Sequence, residues 1–166
     1  MKLRESFPGL SGHESWLGQA YSHEAVGNIP LLLYFWSVDC CANEQLLPQI
    51  AKWDRLYKHS QQLQIIGVHV ARTSEERDRE AIKRMIDGYE LQHPIALDDK
   101  GSIAATFGNR IVPATYLFDE RMQLRHIQSG EQGITLLVHR LQSILRANDI
   151  KERVNDEPST RFEILC

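Results

Sequence analysis

Cysteine is scarce: the 166 residues hold three, and two of them, Cys40 and Cys41, are adjacent. Three thiols cannot all pair, which argues against a structural disulfide framework and suits a reducing compartment. Long apolar runs are missing too. The longest, Ile29 to Trp36, falls far short of the ~20 residues that span a bilayer. The N-terminus, Met1 to Leu10, has no apolar core of signal-peptide length. Neither sign of charge dominates. A formal net charge of -3 gives no electrostatic reason to expect nucleic acid or an anionic membrane as partner. There is no internal repeat and no low-complexity segment. What composition leaves is ordinary, 42% hydrophobic and 25% charged, in a chain long enough for one sizeable core. The expectation is a soluble, cytoplasmic protein.

One stretch organises the chain. The run Ile29 to Trp36 reads as a buried strand over 30–37, and Leu46, Leu47, Ile50, Trp53 and Tyr57 recur at helical spacing. A strand therefore feeds a helix over 41–58, with Cys40 at the junction. Unpaired N–H groups and the partial positive charge of a helix N-terminus favour a thiolate there. Pro48 falls inside the helix and should kink it.

Elsewhere the pattern alternates. Residues 1–29 read as short strands and turns packed through Trp16, with a helical turn at Ser22 to Asn28. Leu63 to Val70 is a second core strand. Thr73 and Glu76 have capping-box spacing, so a helix with a solvated face should start there and stop at Gly88. A short strand at 93–97, a helix at 102–108 and a hairpin of 114–119 with 124–128 follow. Gln132 to Ala147 is an amphipathic helix with Leu137 and Leu141 inward. Residues 148–166 are charged, contain Pro158 and read as a loosely held tail. This order implies an α/β fold, a mixed sheet with helices on both faces.

Four motifs in order then carry a likeness. Phe35-Trp36-Ser37-Val38-Asp39-Cys40 ends the first core strand, and Pro48 lies in the helix that follows. Leu97-Asp98-Asp99-Lys100-Gly101 runs into the short helix ending Phe107-Gly108, and Ile111-Val112-Pro113-Ala114-Thr115 opens an apolar strand ending in Asp119. Together they resemble the TlpA/ResA-like thiol–disulfide oxidoreductases of the thioredoxin fold, over residues 30–147. The resemblance implies a thioredoxin-like domain over 1–147 with an N-terminal hairpin extension in 1–29. It also implies a cis-proline at Pro113, a substrate groove shaped by Trp36, Val112 and Pro113, and thiols or disulfides of proteins or small molecules as partners. No cofactor and no metal are implied, and nothing in the pattern sets an oligomeric state.

The chain departs from that family where its chemistry lies. The family expects Cys-x-x-Cys, and here the quartet is Cys40-Cys41-Ala42-Asn43. Cys40 keeps the attacking position, Asn43 replaces the resolving cysteine and is expected to donate a hydrogen bond, and Cys41 is expected to turn into the helix packing. Asp39 opposes thiolate formation by its charge. Neighbouring Cα atoms lie about 3.8 Å apart, below the roughly 4.4–6.8 Å a disulfide prefers, so a Cys40–Cys41 bridge would be strained. A one-thiol mechanism completed by an external thiol fits these residues. Cys166 could serve as a distant resolving thiol. The rival readings are a non-catalytic binding module that keeps the groove, and a thiol peroxidase using Ser37 with Arg110 or Arg121. A metal site from Cys40 and Cys41 with His69 or His126 lacks close ligand spacing.

Overall fold

The Leu31–Trp36 run has no polar side to present to water, so it can only be a central strand. In the computed structural model, which describes residues 1–21, 29–130 and 134–156, it is the middle of a six-stranded sheet. The elements are β1 (Ser15–Leu17), β2 (Leu31–Trp36), α1 (Asn43–Tyr57), β3 (Gln64–Val70), α2 (Arg79–Gly88), β4 (Ile95–Asp98), α3 (Ser102–Phe107), β5 (Ala114–Phe118), β6 (Leu124–Ser129) and α4 (Ile134–Asp156). Strand order is β1-β4-β3-β2-β5-β6. The crossover pairs β2–β3 and β3–β4 are parallel, while β2–β5, β5–β6 and β1–β4 are antiparallel. This is the mixed α/β sheet of the thioredoxin fold.

Two cores follow from the alternation of side chains along β2. Leu32, Tyr34 and Trp36 face α1, α2 and α4, meeting Leu47, Ile50, Ile82, Leu137 and Leu141. Leu31, Leu33 and Phe35 face α3 and the N-terminal segment, meeting Phe107, Tyr116 and Leu10. Burying each such side chain contributes roughly 1.5–3 kcal/mol. Tyr34 needs room on the first face, and Gly67 on the adjacent strand provides it: a Cβ there would lie 2.8 Å from the Tyr34 hydroxyl.

Several local expectations change. The N-terminal extension does not form a hairpin among the described residues. Instead β1 pairs with β4 at one sheet edge, and Ser6 bridges to Gln123 near the other. The Ser22 to Asn28 turn lies outside the described residues. The Thr73 helix start gives way to a 3-10 turn, Glu75–Arg77, because Asp78 is extended and caps a new helix by accepting from the Glu80 N–H at 3.0 Å. Asp98, fully buried, caps α3 by accepting from the Ile103 and Ala104 N–H groups. Helix α4 continues to Asp156, so the expected boundary at 147/148 falls inside it. After Ala147 the first proline comes only at Pro158. The expected start at Gln132 lies outside the described residues. No described helix is long and apolar enough to cross a membrane.

Candidate active site

Residues 37–42 carry the chain from the C-terminal end of β2 into α1. Two tight turns shape this loop: the Cys40 N–H donates to the Ser37 carbonyl at 3.2 Å, and the Asn43 N–H donates to the Cys40 carbonyl at 3.1 Å. Cys40 thereby stands half-buried, just ahead of the helix. Of the N–H groups of the first helical turn, those of Asn43 and Gln45 are taken by the Cys40 and Ala42 carbonyls at 3.1 Å each.

Asn43, only 3% exposed, is the first residue of α1. Its Nδ2 donates to the Ser37 carbonyl at 2.7 Å and, more weakly, to the Val38 carbonyl at 3.5 Å. The expected donor role is therefore spent on the loop: Asn43 ties the chain leaving β2 to the start of the helix. Cys41 differs from expectation in being exposed. The buried positions of the helix start are Ala42, Asn43, Leu46 and Leu47, and residue 41 precedes that stripe. Trp36 also differs. It is fully buried, edge-on to His69 at 5.1 Å between ring centroids, and so cannot line a substrate groove. An even-numbered residue of β2 points into the α1 core, and Trp36 is the last of that row.

The Val112–Pro113 bond is cis. Phe35 pairs with Ala114 in the β2–β5 ladder, and continuing that register sets Pro113 level with Trp36 and Val112 level with Ser37. Ala42 and Leu46 of the Cys40 arm line one shallow apolar cleft together with Pro113, Thr115, Gly130 and Ile134. Val112 lines a second cleft with Val70, Arg72, Asn109, Arg110 and Ile111. A third lies beyond Val38 and Asp39, against Glu75, Arg84, Met85 and Tyr89. The first and third clefts thus take in residues of the Cys40 loop, and the strand register sets the second next to Ser37 through Val112. Arg121, in the β5–β6 turn at the opposite end of β5, is remote from it.

Behind the loop lies a buried polar group that sequence patterning does not separate from an exposed helix face. Glu76 is 2% exposed and not on a solvated face. Its carboxylate accepts from the Arg72 backbone N–H and from the Arg72 guanidinium at 3.0 Å. Burial works to raise this carboxyl, but the Arg72 bonds outweigh it and hold it low. The capping spacing did mark Thr73 and Glu76, and the Glu76 N–H does donate to Thr73 Oγ1 at 3.3 Å. His69 is fully buried, and desolvation lowers its pKa to about 4, so the ring is neutral at pH 7. Neither His69 nitrogen, nor Trp36 Nε1 or Asn43 Oδ1, has a hydrogen-bond partner among the described residues. No group of three or more His, Cys, Asp or Glu side chains suited to a metal occurs among them. Cys166 lies outside the described residues.

Residues 5–127 match the AhpC/TSA family. The thiol-disulfide oxidoreductase YkuV of Bacillus subtilis (strain 168) is 34% identical over 146 residues, which cover 87% of this chain and 97% of that protein. Among solved structures, a thioredoxin-like protein in its oxidised form superposes with a TM-score of 0.81 at 33% identity, over 89% of this chain and 99% of its own. A thiol-disulfide isomerase from Corynebacterium glutamicum gives 0.71 at 25% identity, over 80% and 92%.

Proposed function

The chain belongs to the AhpC/TSA family, within its thioredoxin-like branch, and from that premise we propose that it is a thiol–disulfide oxidoreductase whose motif nucleophile is Cys40 alone. The observation that carries this reading is the position of Cys40. It is a half-buried thiol ahead of a helix, two residues from Ala42, which shares an apolar cleft with Pro113. The names of the similar proteins point to the same chemistry.

The Cys40 thiolate attacks one sulfur of a substrate disulfide. That S–S bond breaks, a Cys40 mixed disulfide forms, and the second sulfur leaves as a thiolate that takes a proton from solvent. Asn43 stands where a second motif thiol would attack, and its amide is tied to Ser37. An external thiol therefore attacks the mixed disulfide at the Cys40 sulfur and releases the substrate thiol; a second one attacks the new mixed disulfide, freeing Cys40 and leaving the two external thiols joined as a disulfide. Cys41, exposed beside it, is the other thiol that could take part, but its backbone adjacency disfavours a bridge. Val112 and Pro113 present the edge along which an extended substrate lies. The chemistry suits a cytoplasm that keeps thiols reduced.

Reduction of insulin by dithiothreitol, followed for the wild-type protein and for Cys40→Ser, tests this. Acceleration that depends on Cys40 is expected; equal rates would leave the groove as a binding module only. Cys40-dependent consumption of hydrogen peroxide without insulin reduction would replace exchange by peroxidase chemistry.

A further inference from the structure

We propose that the Val112 flank of the Cys40 site is a carboxylate subsite, so that the preferred disulfides carry an acidic group beside the reacting sulfur; this deepens, and rests on, the exchange reading above. The argument is one of charge and rigidity around a single loop. Val70, Ala104 and Val112 give the cleft on this flank an apolar floor, and Arg72, Asn109 and Arg110 form its rim, with no acidic side chain in the lining. Arg72 is shared with Glu76. Arg110 is exposed and makes no ion pair among the described residues.

The rim is held in place. Gly108 closes α3 in the left-handed region at φ 65°, and the Asn109 N–H returns to the Ala104 carbonyl at 2.8 Å. The Asn109 side chain donates to the Ile111 carbonyl at 3.0 Å and accepts from the Tyr116 hydroxyl at 3.2 Å. Arg110 is thus carried between two fixed neighbours, one step along the chain from Ile111, whose side chain is 55% exposed. An apolar contact and a cation sit side by side next to Val112.

Across the Cys40 loop the sign reverses. Asp39 and Glu75 line the third cleft, where Arg84 is drawn 4.0 Å from Asp78. A disulfide with a carboxylate on one side is attracted to the Arg110 flank and repelled from the Asp39 flank, and so approaches Cys40 in one orientation. In an exposed site such a charge contributes a factor of about five, removable by salt.

The test uses single-turnover reaction of Cys40 in a Cys41→Ser, Cys166→Ser background. One reagent is 5,5′-dithiobis(2-nitrobenzoate), which bears carboxylates; the other is uncharged 4,4′-dithiodipyridine. In each case Cys40 sulfur joins one reagent sulfur and the other leaves as a coloured thiolate or thione. The ratio of the two rates is expected to fall about fivefold or more in Arg110→Glu, less in Arg110→Gln, and to stay put in Arg121→Glu, with the differences erased at high salt. Equal ratios in Arg110→Glu and Arg121→Glu overturn the subsite. Because no turnover is required, a shifted ratio in a protein that fails the insulin assay supports the subsite while refuting exchange as the function. Oxidised glutathione and a disulfide-linked peptide with Glu beside its cysteine, run in the same variants, separate the two carboxylate sources: the substrate more sensitive to Arg110 identifies the source.

Discussion

Two buried polar groups lie two residues apart along β2, and they are finished very differently. Around Tyr34 every polar atom is spoken for. Its hydroxyl donates to His93 Nε2 at 2.8 Å, and His93 Nδ1 donates to the Asp54 carboxylate at 3.0 Å. Asp54 also accepts from the Gln92 N–H at 2.9 Å. Burial acts to raise the Asp54 carboxyl, but the His93 and Gln92 bonds prevail and hold it low. Around Trp36, at the end of the same strand, the indole N–H and both His69 nitrogens lack protein partners among the described residues. The satisfied group clamps β2 to α1 and to the start of β4. The unsatisfied group backs the loop that carries Cys40. The satisfied group lies away from the Cys40 loop and the unsatisfied one beside it, and local rules are expected to be broken at functional sites.

The largest effect should come from breaking the satisfied group. His93→Ala leaves the Tyr34 hydroxyl and the Asp54 carboxylate without their buried partner, and should cost about 3–5 kcal/mol in urea unfolding. A loss under about 1 kcal/mol would mean the clamp is not what fixes β2 to α1.

The second effect belongs to the unsatisfied group and appears in the pH dependence. His69 has a folded pKa of about 4, below its unfolded value near 6.5. The unfolded chain therefore binds the extra proton between those values, and stability falls as pH drops from about 6.5 to about 4. The His69 share is on the order of 3 kcal/mol. His69→Leu should remove that share, and at pH 7 should be no less stable than wild type, since two unpartnered nitrogens leave the core. An unchanged pH profile in His69→Leu would place the acid sensitivity elsewhere.

Asn43→Ala should cost about 1 kcal/mol through the lost bond to Ser37, and should speed alkylation of Cys40 by iodoacetamide as the loop loosens. Unchanged alkylation would show that Asn43 does not set the loop. The smallest effect is expected at the exposed Arg55–Glu90 pair, 3.5 Å apart with both side chains mostly in water. Arg55→Ala should stay within about 0.5 kcal/mol of wild type by the same unfolding measurement.

The sequence carried most of the architecture in its periodicities. The β2 run, the α1 stripe of Leu46, Leu47 and Ile50, and the Asp119-to-Leu124 hairpin turn all fall where the pattern placed them, because each is set by local alternation or turn chemistry. The site was half legible. Cys40 and Pro113 were visible as motif residues, and the burial of Trp36 followed from its apolar run although the resemblance set it in a groove; the burial of Glu76 was not visible, since a capping glutamate has the same local pattern exposed or buried. The exposure of Cys41 turned on where the helix begins, which is a matter of one or two residues.

By itself the sequence determined the order of elements and the quartet Cys40-Cys41-Ala42-Asn43, with Asn43 where the family it resembles has a second cysteine, because these are facts of residue type and spacing. Only the tertiary structure decided that Asn43 binds the Ser37 carbonyl, that Tyr34, His93 and Asp54 join in one chain, and that Arg110 and Asp39 line separate clefts. Those pairings bring together side chains far apart in the chain, and their partners are selected by the sheet register and the packing of helices on it, which no local pattern encodes.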